Sequence, residues 1–381
     1  MSELLLHEFH QRRGARFITV NGREVVADYG DPRAEVAALH QTAGVLDFSP
    51  RSRVCLLGAD RLNFLHGQVT NDVKRLAVGA GCYAALVTAK GKMVSDVNVY
   101  RLADELLLDF EPGLTQTVTQ RLEKYIVADD VQVVDVAPHY GLLSVQGPRA
   151  DALGTALAGE LGLPATPFTS VKLAEATGGV IYLMNQPRLG TTGFDLYVPA
   201  SSLRDVAERL LAAAEAIGGR ACGWEAFEIA RIEAGIPRFG ADMDDTNLPP
   251  EAGLDTRAIS YSKGCYIGQE VIARLRTYGQ VTRRLRGFRL PDGLARLPRR
   301  GDPLLKDGKA VGHLTSVAHS WRLQANLALG YVRRECDELG AELIVQTEHG
   351  TVPAVLVTLP FAASTTGAEC PPPSPASAAG N

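Results

Sequence analysis

Hydrophobic and polar positions alternate in short runs along most of the chain, with a few longer stripes at helical spacing between them. Arg16-Phe17-Ile18-Thr19-Val20 followed by Asn21-Gly22 predicts a strand entering a tight hairpin turn. A helix is expected over Pro32–Thr42. From Arg53 to Val136 the pattern reads β-α-β-β-β-α-β: a strand at 54–57, a helix beginning at Asp60–Leu65, and strands at Tyr83–Thr88, Met93–Arg101 and Leu106–Asp109. A helix over Leu114–Lys124 and a strand at Val131–Val136 complete it. That order suits a small antiparallel sheet with helices on one face. A second block, about 138–262, alternates again: strands at Tyr140–Val145, Ile181–Met184 and Phe194–Val198, and helices over Ala150–Leu161, Ser202–Ile217 and Trp224–Ala234. The last of these helices is closed by Gly235 and Pro237. After Gln280, six short β-rich runs separated by Gly, Asp and Pro predict a small barrel or sandwich. The tail from about Ala362 to Asn381, with Pro371-Pro372-Pro373, is expected to be disordered.

Composition narrows the function classes. The chain has 381 residues, of which 46% are hydrophobic and 22% charged, enough for a sizeable core in two or three domains. The formal charge of −4 argues against direct nucleic-acid binding, which draws on a positive field. The N-terminal residues lack a basic segment followed by an apolar one, and no run is long enough to span a bilayer. A cytoplasmic, membrane-free protein is therefore expected, as a monomer. Six cysteines, at 55, 82, 222, 265, 336 and 370, form no C-x-x-C pair, which speaks against a zinc ribbon or a clustered iron–sulfur ligand set, and no metal site is expected. There is no P-loop and no G-x-S-x-G elbow.

Four places could carry chemistry. Ser262-Lys263-Gly264-Cys265-Tyr266-Ile267-Gly268-Gln269-Glu270 leads into an apolar stripe at helical spacing, so a helix is expected from near Tyr266 or Gly268. Cys265 would sit at its N-terminal edge beside Lys263, a setting that favours thiolate, while the plainer reading is a buried cysteine in a turn. Tyr83 and Asp96 flank the Lys90-Gly91-Lys92 turn, and Asp96 stands inside an apolar strand where it could grip an N–H edge or act as a base, while the plainer reading is a carboxylate facing water. Asp195 likewise interrupts an apolar strand, and Arg231 lies near a helix C-terminus, where a dipole contact is the plainer reading. Arg274, Arg276, Arg283, Arg284, Arg286 and Arg289 form a basic run, either a solvated face or a docking surface.

Taken together, these motifs resemble those of a known family. Lys263–Glu270 resembles the K-G-C-Y-x-G-Q-E signature of the YgfZ proteins, folate-binding relatives of the glycine-cleavage T-protein. Leu248-Pro249-Pro250-Glu251-Ala252-Gly253-Leu254 and Gly67-Gln68-Val69-Thr70-Asn71-Asp72 are similar to the same family, and the likeness runs from about residue 15 to 361. The resemblance implies an α+β fold: a three-domain cloverleaf of two ferredoxin-like-type domains and a C-terminal antiparallel β-barrel around a folate-sized hole. Residues 1–53 with 138–275 would form the first domain, 54–137 the second and 276–361 the barrel, followed by the tail. It implies tetrahydrofolate as cofactor, with Tyr83, Asp96, Asp195 and Arg231 around it. Asp195 would stand where G-F-E-I places a pterin-binding carboxylate, and Arg231 would suit an anionic glutamyl tail. Cys265 would be the functional thiol and Lys263 its electrostatic partner.

The expected function is then a folate-binding accessory protein for iron–sulfur cluster assembly or repair on client enzymes, including tRNA-modifying ones. Its partners would be those clients or assembly proteins. The T-protein's paired Asp is here Ser95-Asp96, its T-G-E-D is shortened, and Asp replaces Glu at 195, all of which favour that reading. The alternatives are a tetrahydrofolate-dependent aminomethyltransferase of glycine-cleavage type and a docking module built on the arginine run.

Overall fold

A computed structural model describes residues 4–176 and 178–362. The expected disordered tail, from Ala363 onward, lies outside the described residues. The chain is a mixed α/β protein ending in a closed barrel of six antiparallel strands.

The stretch 52–135 folds as the β-α-β-β-β-α-β pattern predicts. Its sheet runs in the order Gly81–Val87, Met93–Arg101, Leu106–Phe110, Ser52–Leu57, Gln132–Asp135. Side chains alternate across a strand, so the two faces of this sheet differ sharply. Val54, Leu56, Val97, Val99, Leu106, Leu108 and Phe110 face the helices Arg61–Gln68 and Thr115–Glu123, meeting Phe64, Leu65, Val118 and Leu122. The intervening positions put Arg53, Asp109, Asn98 and Tyr83 in one cross-strand row. Burying such a row requires partners for every charge.

A six-stranded sheet runs Ser170–Ala176, Gly179–Asn185, Gly193–Pro199, Tyr140–Gln146, Gly44–Asp47, Arg220–Ala221. The early strand Gly44–Asp47 thus inserts among strands nearly 100 or more residues later in the chain, and Arg220–Ala221 lies parallel to it. Arg53, fully buried where the chain passes between the two sheets, ties them together. It donates to the carbonyls of Arg51 at 2.9 Å, Ser49 at 3.1 Å, Ala137 at 3.3 Å and Tyr140 at 2.6 Å.

The barrel closes in the order Arg283–Leu290, Ala325–Arg333, Lys309–Ser320, Pro303–Lys306, Glu342–Thr347, Gly350–Val357. A second apolar cluster, with Ile232 of the helix Trp224–Glu233 against Leu285, Leu327, Leu329 and Phe361, seats this helix on the barrel. The basic run of the sequence is largely internally matched. Arg283 pairs with Glu251, Arg284 and Arg286 pair with Asp337, and Arg276 lies over the Tyr261 ring. Among the described residues, no helix is long and apolar enough to cross a membrane.

Candidate functional site

Where the polar face of the five-stranded sheet meets the loop after Asn185 and the helix Trp224–Glu233, the chain leaves a cleft. Tyr83, Asp96, Asn98 and Glu111 line it from the sheet, Phe168, Gln186 and Arg188 from the six-stranded side. Phe227, Arg231 and Arg238 close it from the helix and the loop that follows, and Leu254 and Arg257 from further along. Tyr83 and Asp96, predicted as a pair, do meet: the Tyr83 hydroxyl donates to Asp96 Oδ2 at 2.8 Å. The other oxygen, Oδ1, is buried with no hydrogen-bond partner. Burial, and after it the charge of Glu111, push the Asp96 carboxyl up from 3.8 to about 6. Among the described residues it is the cleft carboxylate with an unclaimed oxygen.

The remaining carboxylates of the site are held by arginines. Asp109 accepts from Arg51 Nε at 2.8 Å, Asn98 Nδ2 at 2.9 Å and Arg188 Nη2 at 2.8 Å. Burial alone would raise its carboxyl, but Arg51 and Arg188 hold it well below the usual range. Glu111 takes Arg51 at 2.5 Å and Arg238 at 2.8 Å, and is likewise held down against its own desolvation. Arg238 then reaches Glu228 at 2.7 Å, Glu228 reaches Arg231 at 2.7 Å, and Arg231 reaches Asp242. The result is a ladder of alternating charge running from Asp195 through Arg188, Asp109, Arg51, Glu111, Arg238, Glu228 and Arg231 to Asp242, where Thr315 and Ser316 of the barrel also donate.

Two residues of the expected site are engaged by partners within the protein. Asp195 is fully buried and does not line the cleft. Arg188 lies over it, with Nε at 2.9 Å and Nη2 at 2.6 Å from Oδ2. Arg231 does line the cleft, but its guanidinium is taken up by Asp242, Glu228 and Ser316 Oγ, so it braces the helix against the barrel and has little left for a ligand's anion. Arg257 is the better placed cation. It is exposed at the cleft, stacks over the Tyr83 ring at 5.7 Å, and has no ion pair among the described residues.

Lys263 and Cys265 lie on a separate cluster. The helix begins at Gln269, with Gly268 at φ +82, so Cys265 precedes it by a turn of loop and its thiol side chain is exposed. The Lys263 ammonium is buried and donates to the backbone carbonyls of His66, Val69 at 2.7 Å and Asn71 at 3.0 Å. Its role in the fold is therefore to clasp the 67–72 motif, and burial lowers it to about 8. Ile267 N–H adds a bond to the Gly67 carbonyl at 3.1 Å. A Cβ at Gly268 would lie 2.4 Å from the Thr88 carbonyl oxygen, so only glycine lets the segment sit on the 88–92 turn. The two motifs quoted from sequence are thus one assembly in space. Lys263→Met is expected to lower stability by about 2 kcal/mol, since charge-assisted bonds to three backbone carbonyls, one of them buried, are lost; the shift in the denaturation midpoint measures it.

Sequence reasoning missed Arg51, Asp109, Glu111, Arg188 and Arg238. Their signal was present: charged residues inside or next to otherwise apolar runs, as in Leu106-Leu107-Leu108-Asp109-Phe110-Glu111, imply buried partners.

Comparison with known proteins decides the family. Residues 6–263 match the GCVT N-terminal domain, and residues 283–362 match the glycine cleavage T-protein C-terminal barrel domain. The chain belongs to the GCVT family. An aminomethyltransferase of Symbiobacterium thermophilum is 31% identical over 367 residues, covering 93% of this chain and 96% of the relative. One from Rubrobacter xylanophilus is 30% identical over 359 residues, covering 93% of each. The crystal structure of the glycine cleavage system aminomethyltransferase T from Bartonella henselae superposes with a TM-score of 0.85 at 23% identity, covering 95% of this chain and 98% of that one, a likeness of fold. These GCVT relatives carry the aminomethyltransferase name and not that of the YgfZ proteins, so they favour the transferase alternative over the iron–sulfur reading.

Proposed function

We propose that this GCVT-family protein is a folate-dependent one-carbon protein of aminomethyltransferase type, with its site in the central cleft. The observation that carries the reading is Asp96. One oxygen is oriented by Tyr83 and the other is buried and unpartnered, with a carboxyl that burial pushes up to about 6. A partnerless carboxylate oxygen in a cleft asks for an N–H donor. Tetrahydrofolate supplies that, since its amine nitrogens accept the one-carbon unit in aminomethyl transfer.

The chain's own residues divide the work. Asp96 Oδ1 holds or takes an amine proton, while the Tyr83 hydroxyl fixes the carboxylate's rotation. Phe168, Phe227 and Leu254 offer apolar wall for a ring system, and Arg257 offers a cation for an anionic tail. The paired arginines and carboxylates behind them keep that wall rigid.

Calorimetric titration with tetrahydrofolate is expected to show saturable binding. Incubation with tetrahydrofolate and an aminomethyl-lipoyl carrier protein is expected to release methylenetetrahydrofolate and ammonia above background, leaving the dihydrolipoyl carrier. Binding without release would reject the transferase step, and absence of both in folded protein would reject the whole reading.

A second reading, an accessory role in iron–sulfur protein maturation, draws on Cys265: an exposed thiol on a segment pinned by Lys263 and Gly268. It leads to a different result. Cys265→Ala would abolish rescue of client enzymes while leaving tetrahydrofolate binding intact, whereas the transferase reading expects release to survive that substitution.

A further inference from the structure

The cleft wall beneath which Asp195 lies is cationic at its surface. Arg188 makes one pair of bonds to Asp195 through Nε and Nη2, and a further bond from Nη2 to Asp109 at 2.8 Å. Its guanidinium lies 5.4 Å from the centre of the Phe48 ring, and its backbone N–H is fixed by Gln146 Oε1 at 3.0 Å. Asp109 is itself held by Arg51 and Asn98. The orientation of the guanidinium is therefore set from both sides. The side chain is 7% exposed and forms part of the cleft wall, and Nη1 makes no hydrogen bond to any described residue. What a ligand meets at this point is an N–H donor, with the Asp195 carboxylate sealed behind it.

A carboxylate and a guanidinium demand opposite hydrogen-bonding groups on a heterocycle. A carboxylate accepts from the 2-amino group and N3–H of a pterin; a guanidinium N–H needs an acceptor and is repelled by an amino group. Resting on the folate reading above, we propose that Arg188 is a specificity-determining residue that donates from Nη1 to the 4-oxo oxygen of the pterin, with Asp195 and Asp109 as its positioning residues. The cleft then selects 4-oxo pteridines and rejects 2,4-diamino ones, in which that acceptor is replaced by a donor.

The test is calorimetric titration of the full chain with tetrahydrofolate and with its 4-amino-4-deoxy analogue. Wild type is expected to bind tetrahydrofolate tighter by about tenfold or more, because the analogue leaves a buried donor facing another donor. In Arg188→Met/Asp195→Asn, where both charges are removed together so that neither is left unpaired, the gap is expected to shrink to within about threefold. Equal affinities in wild type, or preference for the diamino ring, would overturn the proposal and leave folate binding standing. Binding of neither compound by folded wild type would overturn the folate reading and this inference with it. A gap that persists in the folded double variant would remove Arg188 as its cause, and if that variant does not fold, Arg188→Lys, which keeps the charge paired with Asp195 but loses the Nη1 donor, is expected to narrow the gap in its place.

Discussion

Asp96→Asn is expected to slow folate-dependent transfer by about 10²–10⁴-fold, the usual loss when a positioned acid or base is removed. Tetrahydrofolate binding should weaken far less, because asparagine keeps the shape and one acceptor oxygen. The wild-type rate should rise with pH through about 6, where Asp96 ionises, and this limb should vanish in the variant. Stability should move the other way. The folded carboxyl titrates above its ordinary value of 3.8, so folding favours the protonated form, and the penalty for ionising it grows between about pH 4 and pH 6. At pH 7 the asparagine variant escapes that penalty and is expected to be more stable by about 3 kcal/mol. Higher stability with lower rate marks a group kept for chemistry at a cost to the fold. A rate unchanged in Asp96→Asn would remove Asp96 from the reaction.

Arg51→Met is expected to be the most damaging single change to the fold at this site, lowering stability by about 3–5 kcal/mol at pH 7. It removes one partner from two buried carboxylates, Asp109 and Glu111, and leaves their charges under-compensated. Urea denaturation reports it as a lower midpoint. Both carboxyls are held below their ordinary range in the folded protein, so the stability they supply is present above about pH 4 and is lost as pH falls further. The variant should therefore lose less on acidification than wild type does. Adding Asp109→Asn should restore part of the loss at pH 7; no restoration would mean that the damage came from packing and not from charge.

Much of this architecture could be read from period alone. The apolar run Leu106-Leu107-Leu108 was enough to place its strand, while the two faces, Leu106, Leu108 and Phe110 against Leu107 and Asp109, show only in the structure. The barrel strands were visible through their spacing by turn residues. Gly44–Asp47 escaped because four residues buried on both faces show no alternation, and Arg220–Ala221 because two residues carry no pattern at all. Ser170–Ala176 escaped for another reason: Lys172, Leu173, Ala174, Glu175 and Ala176 are good helix formers, and the sheet edge overrides their preference.

At the candidate site, local spacing brought out Tyr83 and Asp96 because two neighbouring strands hold them. Arg188 stayed hidden because the partners that give it meaning, Asp109 and Asp195, lie on strands of two different sheets. In one dimension Asp195 reads as a carboxylate open to a ligand. In three, the carboxylate is withdrawn and an arginine stands in front of it.

Besides Arg51, the cleft walls come from four stretches of chain that are far apart in sequence: 83–111, 168–188, 227–238 and 254–257. A molecule seated there grips all four at once, and any opening that separates one of them ejects it. Occupancy at a hundred times the dissociation constant would add about 2.7 kcal/mol against such openings. In a cell, the level of the bound small molecule would then set how long this chain survives proteases, so its abundance would follow its ligand even with synthesis held constant.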